Sequence, residues 1–360
     1  MKLLIVTQAV DENDPVLGFF TNWLAVFATR FSRIEVICLR EGKHALPENV
    51  RIWSLGKEKT ARESARADVL SDMIYHITRR IVFSFRFVSL VWRLRHEYDA
   101  VLVHMNPEYV ILGGAWWRAA GKKVALWYNH PHKGVRFTLA ALLANKLFYT
   151  SPYAAPAGRA KAIRMPAGID TMLFSPPSSS AKRERALVYV QGRVAPSKRV
   201  DAMLRAVRTL REKIPAARIV LAGPVDPNYD EMLRWEFEDL VKANALTFAG
   251  SVPNAKSPAN FSAAGVSMNL AASGHFDKSV LEALACETPV IVSSKAFAGI
   301  IPPRLTVPEN DAAALAKALS AVITMPEVEY HELGVTLRSA VVDTQSLDKL
   351  ADALATTMAI

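Results

Sequence analysis

Two stretches carry residues whose types and order suit work on an anion. The first, GRVAPSKRVD (192–201), follows an apolar run and precedes a helical pattern. Gly192 opens a turn, and Arg193 and Lys198 bring two cations to one loop. Cations so placed suit a diphosphate whose departure builds negative charge. The alternative is a pair of solvated basic residues. The second stretch, SGHFDKSVLEALACETPVIVSS (273–294), enters a helix near Asp277. The amides of Ser279 and Val280 would stand free at that helix N-terminus, where an anion is favoured. Glu282 lies one turn further in, and a carboxylate there can accept hydrogen bonds from a ribose diol. Its plain alternative is an exposed helix glutamate.

Other candidates are weaker. Gly18, in LGFF (17–20), lets the backbone approach a ligand, or simply marks a helix entry. His130 and His132 follow a buried run in NHPHKG; with no third ligand at helical spacing, His130 reads as a sugar contact rather than a metal ligand. His104 and Asn106 follow AVLVHM and are candidate acceptor contacts, with a satisfied core histidine as the other reading of His104. His275 is a further possible sugar contact, and the acidic DENDP stretch at 11–15 reads as a plain loop. No G-x-G-x-x-G follows the first strand and no G-x-x-x-x-G-K-[ST] occurs, which argues against a nicotinamide dehydrogenase and a P-loop enzyme.

These residues need elements to hold them. KLLIVTQ (2–8), RIEVICL (33–39), AVLVHM (100–105) and KVALWYN (123–129) read as strands, the last two continuous as in sheets buried on both faces. Residues 19–32 and 109–121 read as helices, the latter closed by Gly121. The polar SPPSSSAKRER (175–185) reads as a linker. Strands then resume at 186–192, 217–223, 246–251, 266–272 and 289–294, with helices at 200–214, 229–243 and 277–286 and a helical end over 311–358. Two α/β units in tandem follow, with ligands expected beyond the carboxyl ends of the strands.

Composition narrows the classes. With 51% hydrophobic and 22% charged residues in 360, the chain is globular. Only Cys38 and Cys286 occur, each in an apolar run, so neither a disulfide scaffold nor a Cys-rich zinc module is expected, and the chain reads as cytoplasmic. The N-terminal apolar run, Leu3 to Val6, is too short for a signal peptide, and no stretch suits a membrane span. The net charge of +10 suits an anionic partner. RRIVFSFRFVSLVWRLRH (79–96) interleaves arginines with aromatics; it reads either as an anionic-membrane contact or as a core-packed helix with a basic edge.

The order GRVAPSKRVD, GSVP (250–253) and DKSVLEALACETPVIVSS resembles the nucleotide-sugar half of glycosyltransferase family 4. LWYNH (126–130), SPY (151–153) and GIDTMLF (168–174) extend the resemblance through the first half. It implies the GT-B fold: two Rossmann-like domains facing across a cleft, an acceptor-binding one over 1–178 and a nucleotide-sugar one over 184–340, with 341–360 returning to the first. It implies retaining sugar transfer from a nucleotide diphosphate, UDP or GDP, to a glycan or lipid-linked acceptor in polysaccharide or glycoconjugate synthesis. No metal or cofactor is required, and the place of action is the cytoplasm or the inner membrane face. By the same resemblance Arg193 and Lys198 meet the diphosphate, Glu282 the ribose, Gly18 and Gly192 the phosphates, and His130 the donor sugar.

The family's first motif glutamate would fall at Gly274, and Asp277 and Lys278 are candidates to cover its role. Gly274 also supports a second reading, a catalytically silent nucleotide-binding subunit that serves a partner glycosyltransferase. Nucleic-acid binding is disfavoured, because the basic segment carries no recognised motif for it.

Overall fold

A computed structural model describes residues 1–60, 69–176, 183–272 and 274–359. The first seven strands are β1 (Lys2–Val10), β2 (Arg33–Glu41), β3 (Val50–Ser54), β4 (Ala100–His104), β5 (Lys123–Trp127), β6 (Lys146–Tyr149) and β7 (Ala162–Arg164). They form one parallel sheet in the order β3-β2-β1-β4-β5-β6-β7. Its helices are α1 (Phe19–Phe27), α2 (Val69–Arg93), α3 (Pro107–Ala119) and α4 (Val135–Leu143). Leu4, Val6, Val101, Val103, Val124 and Leu126 share one sheet face and pack with Phe87 of α2, Trp117 of α3 and Phe137 of α4. These three helices therefore form a single layer, as right-handed crossovers require.

The second sheet contains β8 (Glu184–Gln191), β9 (Arg218–Ala222), β10 (Leu246–Gly250), β11 (Ala264–Asn269) and β12 (Val290–Val292), all parallel, in the order β10-β9-β8-β11-β12. Its strands β8 and β12 carry the unbroken apolar runs of strands covered on both faces, and β11 is buried along its whole length. The helices are α5 (Val200–Arg211), α6 (Pro227–Glu236), α7 (Glu238–Lys242), α8 (Ser257–Ala263), α9 (Lys278–Ala285), α10 (Ala312–Ile323), α11 (Glu327–Gln345) and α12 (Leu347–Ala359).

The chain divides into a unit of Met1–Met165 with Leu350–Ile360 and a unit of Pro166–Lys349. The crossing lies at 165–166, before the Pro/Ser-rich stretch that composition marks as the linker at 175–185. The reason is tertiary. Ile169 donates its amide to the Gln345 carbonyl (2.9 Å), and Arg338 donates to the carbonyls of Thr171 (3.2 Å) and Phe174 (3.0 Å). At the far side of that stretch Arg183 reaches the Ala264 carbonyl (2.7 Å), the Thr288 hydroxyl (2.6 Å) and the Cys286 carbonyl (2.9 Å). Residues 177–182 lie outside the described residues.

Two expected helices are subdivided. The 229–243 pattern breaks between α6 and α7 at Phe237, which leaves helical geometry at φ −116° and ψ 32°. The helical end breaks at Pro326, which has no N–H to continue a ladder, and at Ser346. Helix α12 belongs to the first unit from Leu350 onward: Asp352 accepts from Arg30 (2.8 Å), and the Ala359 carbonyl accepts from Lys123 (2.7 Å). Among the described residues no helix is long and apolar enough to cross a membrane.

Candidate active site

In the second sheet the strand order reverses between β8 and β11, and the second-unit residues expected to meet the donor gather at the carboxyl ends there, whereas Gly18 and His130 lie in the first unit. Gly192 and Gly223 end adjacent strands. A Cβ on Gly223 would lie 2.0 Å from the Gly192 carbonyl oxygen, and its φ of +149° also favours glycine. The loops beyond are tied together, with Val194 donating to the Pro224 carbonyl (2.9 Å) and Asp226 to the Val194 carbonyl (3.0 Å). Arg193 stands exposed on this base, and its guanidinium has no partner among the described residues.

Lys198 ends a 3₁₀ turn, Pro196–Lys198. Its ammonium donates to Asp277 Oδ2 (2.5 Å), and the same oxygen accepts from Asn269 Nδ2 (2.8 Å) at the end of β11. Arg199 follows in the left-handed region at φ +51°. Such a conformation costs of order 1 kcal/mol for a non-glycine residue and persists only where neighbours fix it. Here Glu309 (2.6 Å) and the Leu270 carbonyl (3.2 Å) accept from its guanidinium.

Asp277 is the N-cap of α9, yet its side chain makes no capping hydrogen bond. The Ser279 amide accordingly has no acceptor among the described residues. Val280 differs from the sequence expectation. Its amide donates to the Asp277 carbonyl (3.2 Å), because the first turn closes tightly, and so it is not free.

Glu282 is buried at 6% exposure, not the exposed helix glutamate that was the alternative. Burial raises its carboxyl above the ordinary value; Lys278, one turn back, and a hydrogen bond from Asn254 oppose the rise. Burial lowers the Lys278 ammonium, and Glu282 opposes that shift. Lys278 also donates to the carbonyls of Ala167 and Gly168, the latter at 3.4 Å. Gly274, where the family pattern places a glutamate, is buried at φ +102°, a conformation strained for any side chain. His275 is exposed, and its carbonyl accepts from Ser294 Oγ (2.8 Å).

In the first unit the order reverses between β1 and β4. Gly18 is the N-cap of α1, and a Cβ there would lie 2.8 Å from the Asp14 carbonyl oxygen and 2.9 Å from that of Glu12, so its own loop demands glycine. His104 is 5% exposed, ringed by Phe20 (4.8 Å), Trp23 (5.9 Å) and Trp127 (6.3 Å), with Nδ1 3.4 Å from Thr7 Oγ1. Asn106 caps the approach to α3, donates to the His104 carbonyl (2.9 Å) and accepts from Gln8 (2.7 Å). His130 is exposed, edge-on to Tyr128 at 5.5 Å. Among the described residues no three His, Cys, Asp or Glu side chains converge to hold a metal.

The arginines of 79–96 are not a free basic face. Arg79 lies over Tyr75 (4.9 Å) and Phe83 (5.4 Å), Arg93 over Trp53 (4.5 Å) and Arg95 over Trp92 (4.7 Å). Arg86 donates to the Leu55 carbonyl (2.7 Å). Besides Arg80, Arg86 and Arg93, α2 exposes an apolar stripe at helical spacing: Ile77, Ile81, Phe85, Val88 and Trp92.

Residues 174–334 match the family model described as glycosyl transferases group 1. The second unit is a group 1 glycosyl transferase domain. The family is one of sugar-transferring enzymes. Solved structures resemble the chain over its whole length. HepE of Anabaena in complex with UDP-glucose has a TM-score of 0.74 at 15% identity, over 100% of this chain and 99% of that one. Sucrose-phosphate synthase from Thermosynechococcus elongatus has 0.71 at 18%, over 99% and 98%. WaaG, a glycosyltransferase involved in lipopolysaccharide biosynthesis, has 0.69 at 14%, over 99% of each chain. At these identities the likeness carries the fold, which is that of GT-B enzymes. No curated protein matches the sequence.

Sequence reasoning missed Asn269, Arg199, Glu309 and Asn254. Asn269 had a signal, an amide side chain ending a strand that is otherwise apolar but for Ser267. Arg199 had none, since only its backbone angle and distant partners distinguish it from a solvated arginine.

Proposed function

We propose that the chain is a glycosyltransferase that transfers a sugar, with retention of configuration and without a metal, from a UDP- or GDP-linked donor to a glycan or lipid-linked acceptor. The observation that carries this is the grouping at the β8/β11 strand ends: Arg193 exposed, Lys198 anchored beside it, the Ser279 amide free and the buried Glu282 one turn into α9. Two cations and a helix N-terminus supply the charge that a departing diphosphate needs. Glu282 accepts from the ribose hydroxyls, and Gly192 lets the phosphates approach the backbone. That HepE was solved with UDP and with UDP-glucose supports a nucleotide-sugar donor here. His130 is assigned to the donor sugar, and His104 and Asn106 to the acceptor side.

No side chain is assigned as nucleophile. In this reading the leaving phosphate takes the acceptor hydroxyl proton as the new glycosidic bond forms on the face the diphosphate leaves. We further assign the protein to the inner membrane face. Ten of the eighteen large apolar residues exposed among the described residues lie on α2, α3 and α4, which marks this layer as a contact surface. Arg80 and Arg118 flank it, and Arg136 pairs there with Glu108 (3.0 Å), the acidic exception among the described side chains of this layer, so the fitting occupant is an anionic lipid surface; a second, equally basic copy would be repelled.

The test is transfer or donor hydrolysis with UDP- and GDP-sugars, read by release of the nucleoside diphosphate. Release by the wild type and its loss in Arg193→Ala support the reading. Gly274, whose backbone is unsuited to the family's glutamate, favours one competitor, a silent nucleotide-binding subunit: that reading predicts nucleotide binding with no release under any donor.

A further inference from the structure

Asp277 occupies a position where an aspartate normally caps its own helix. Its carboxylate would accept from the second or third amide of α9, an arrangement worth ~1 kcal/mol. It does not do so. Instead Oδ2 takes the Lys198 ammonium at 2.5 Å and the Asn269 amide at 2.8 Å. Lys198 and Asp277 are each about one-quarter exposed, so the pair is partly desolvated. The two residues stand 79 apart in sequence and on different elements, so local chain geometry does not impose the contact.

We propose that Asp277, held by Asn269, is a positioning residue that fixes the Lys198 ammonium for the donor diphosphate. This rests on the donor-site reading above. A lysine carries four rotatable methylene bonds, and immobilising such a side chain on binding costs ~0.5–1.5 kcal/mol. Anchoring it beforehand removes that cost from the binding step. The ammonium has three N–H donors, so one spent on Asp277 leaves two for phosphate oxygens. Arg199 acts alongside. Its left-handed backbone turns the chain directly after Lys198, and its guanidinium pins that turn to Glu309 and the Leu270 carbonyl. The Asp277 charge does oppose an incoming anion. That charge is shared between two donors on one oxygen, which is why positioning outweighs repulsion.

The experiment is calorimetry with UDP and GDP on the full chain, in a double-mutant cycle of Lys198→Met and Asp277→Asn. Losing one charge-assisted contact weakens diphosphate binding about ten- to hundred-fold in Lys198→Met. Losing the anchor weakens it about three- to ten-fold in Asp277→Asn. In the Lys198→Met background Asp277→Asn has no further effect, because it acts only through the lysine. A merely structural aspartate would weaken binding equally in both backgrounds, and that outcome overturns the proposal. So does tighter or unchanged binding in Asp277→Asn alone, as expected of a carboxylate that only competes with the diphosphate. Unchanged binding in Lys198→Met, or no binding of either nucleotide to the wild type, sinks the donor-site reading and the proposal with it. Urea midpoints of all three variants keep binding losses separate from unfolding.

Discussion

The apolar layer of the first unit allows a prediction that separates two ways of meeting a membrane. If arginines did the work, binding would be electrostatic and salt would abolish it. If the exposed stripe does the work, binding depends on apolar area. Phe85 is 73% and Trp92 57% exposed. At ~200 Å² per aromatic side chain these fractions amount to about 260 Å². Full transfer at ~25 cal/mol per Å² would yield about 6 kcal/mol. A helix lying in the interface buries only its outward face, so half of that, about 3 kcal/mol, is the working figure, or ~10² in partitioning. Phe85→Gln with Trp92→Gln should therefore lower the bound fraction on anionic vesicles by about that factor, read by flotation. Neutralising Arg80 alone, as Arg80→Gln, should cost about 1 kcal/mol at low salt and little at 1 M, where the Debye length is ~3 Å. Equal flotation of wild type and double variant would refute the insertion argument. So would complete release of the wild type by 1 M salt, which would return the contact to the arginines.

The remaining expectations concern the second unit. Arg193→Ala should lose ~10²–10³ in turnover while keeping its fold, as removal of one donor to a developing oxyanion typically does; near-normal turnover would move the diphosphate elsewhere. Sugar transfer should persist in excess EDTA, and dependence on added Mg²⁺ or Mn²⁺ would contradict the assignment of charge to side chains. Glu282→Gln should weaken nucleotide binding by ~1–3 kcal/mol in calorimetry. The same substitution should also alter the pH profile of stability. Because the folded Glu282 pKa is raised above the ordinary 4.5, its contribution is fully present below that value and is lost as pH rises through the folded pKa. Lys278, lowered from 10.5, contributes fully only above that value and loses its contribution as pH falls. Wild-type urea midpoints should thus dip between the two, and Glu282→Gln should remove the acid limb; an identical profile in the variant would show that Glu282 is not the titrating group. Arg338→Met strands the carbonyls of Thr171, Phe174 and Ala285 and should cost about 2–4 kcal/mol in thermal unfolding.

The alternation of strand and helix was legible because buried parallel strands are apolar nearly throughout, as in β4 up to its closing His104 and in β12, and few other structures are. The location of the site was legible for a related reason. Polar loops that directly follow such strands, like the one bearing Arg193 and Lys198, have nowhere to lie but at the sheet's carboxyl edge. Pairings across sequence were not legible. Nothing in GRVAPSKRVD says that Lys198 is held by a residue 79 positions away. The true crossing between units was hidden for the same reason, since Gln345 and Arg338 bind the 169–174 stretch to the second unit. In α2 the arginine-aromatic mixture was visible, but not its orientation. Phe87 and Val91, with Leu94 just beyond the helix, turn inward, and most of the arginines of 79–96 fold over aromatic rings.

The return of α12 to the first unit has a consequence for how the chain is made. A ribosome releases Met1–Met165 first, but that body stays incomplete until Leu350–Ile360 have emerged. Until then Arg30 lacks Asp352, and the surface that will cover Leu350, Leu354 and Met358 faces water. The unit translated first is therefore finished last, after the whole of Pro166–Lys349 has passed through the exit tunnel. Damage at one end of the chain is felt at the other. A stop codon shortly after Lys349 would spare every residue of the second unit yet leave the nascent N-terminal body for chaperones and proteases to find.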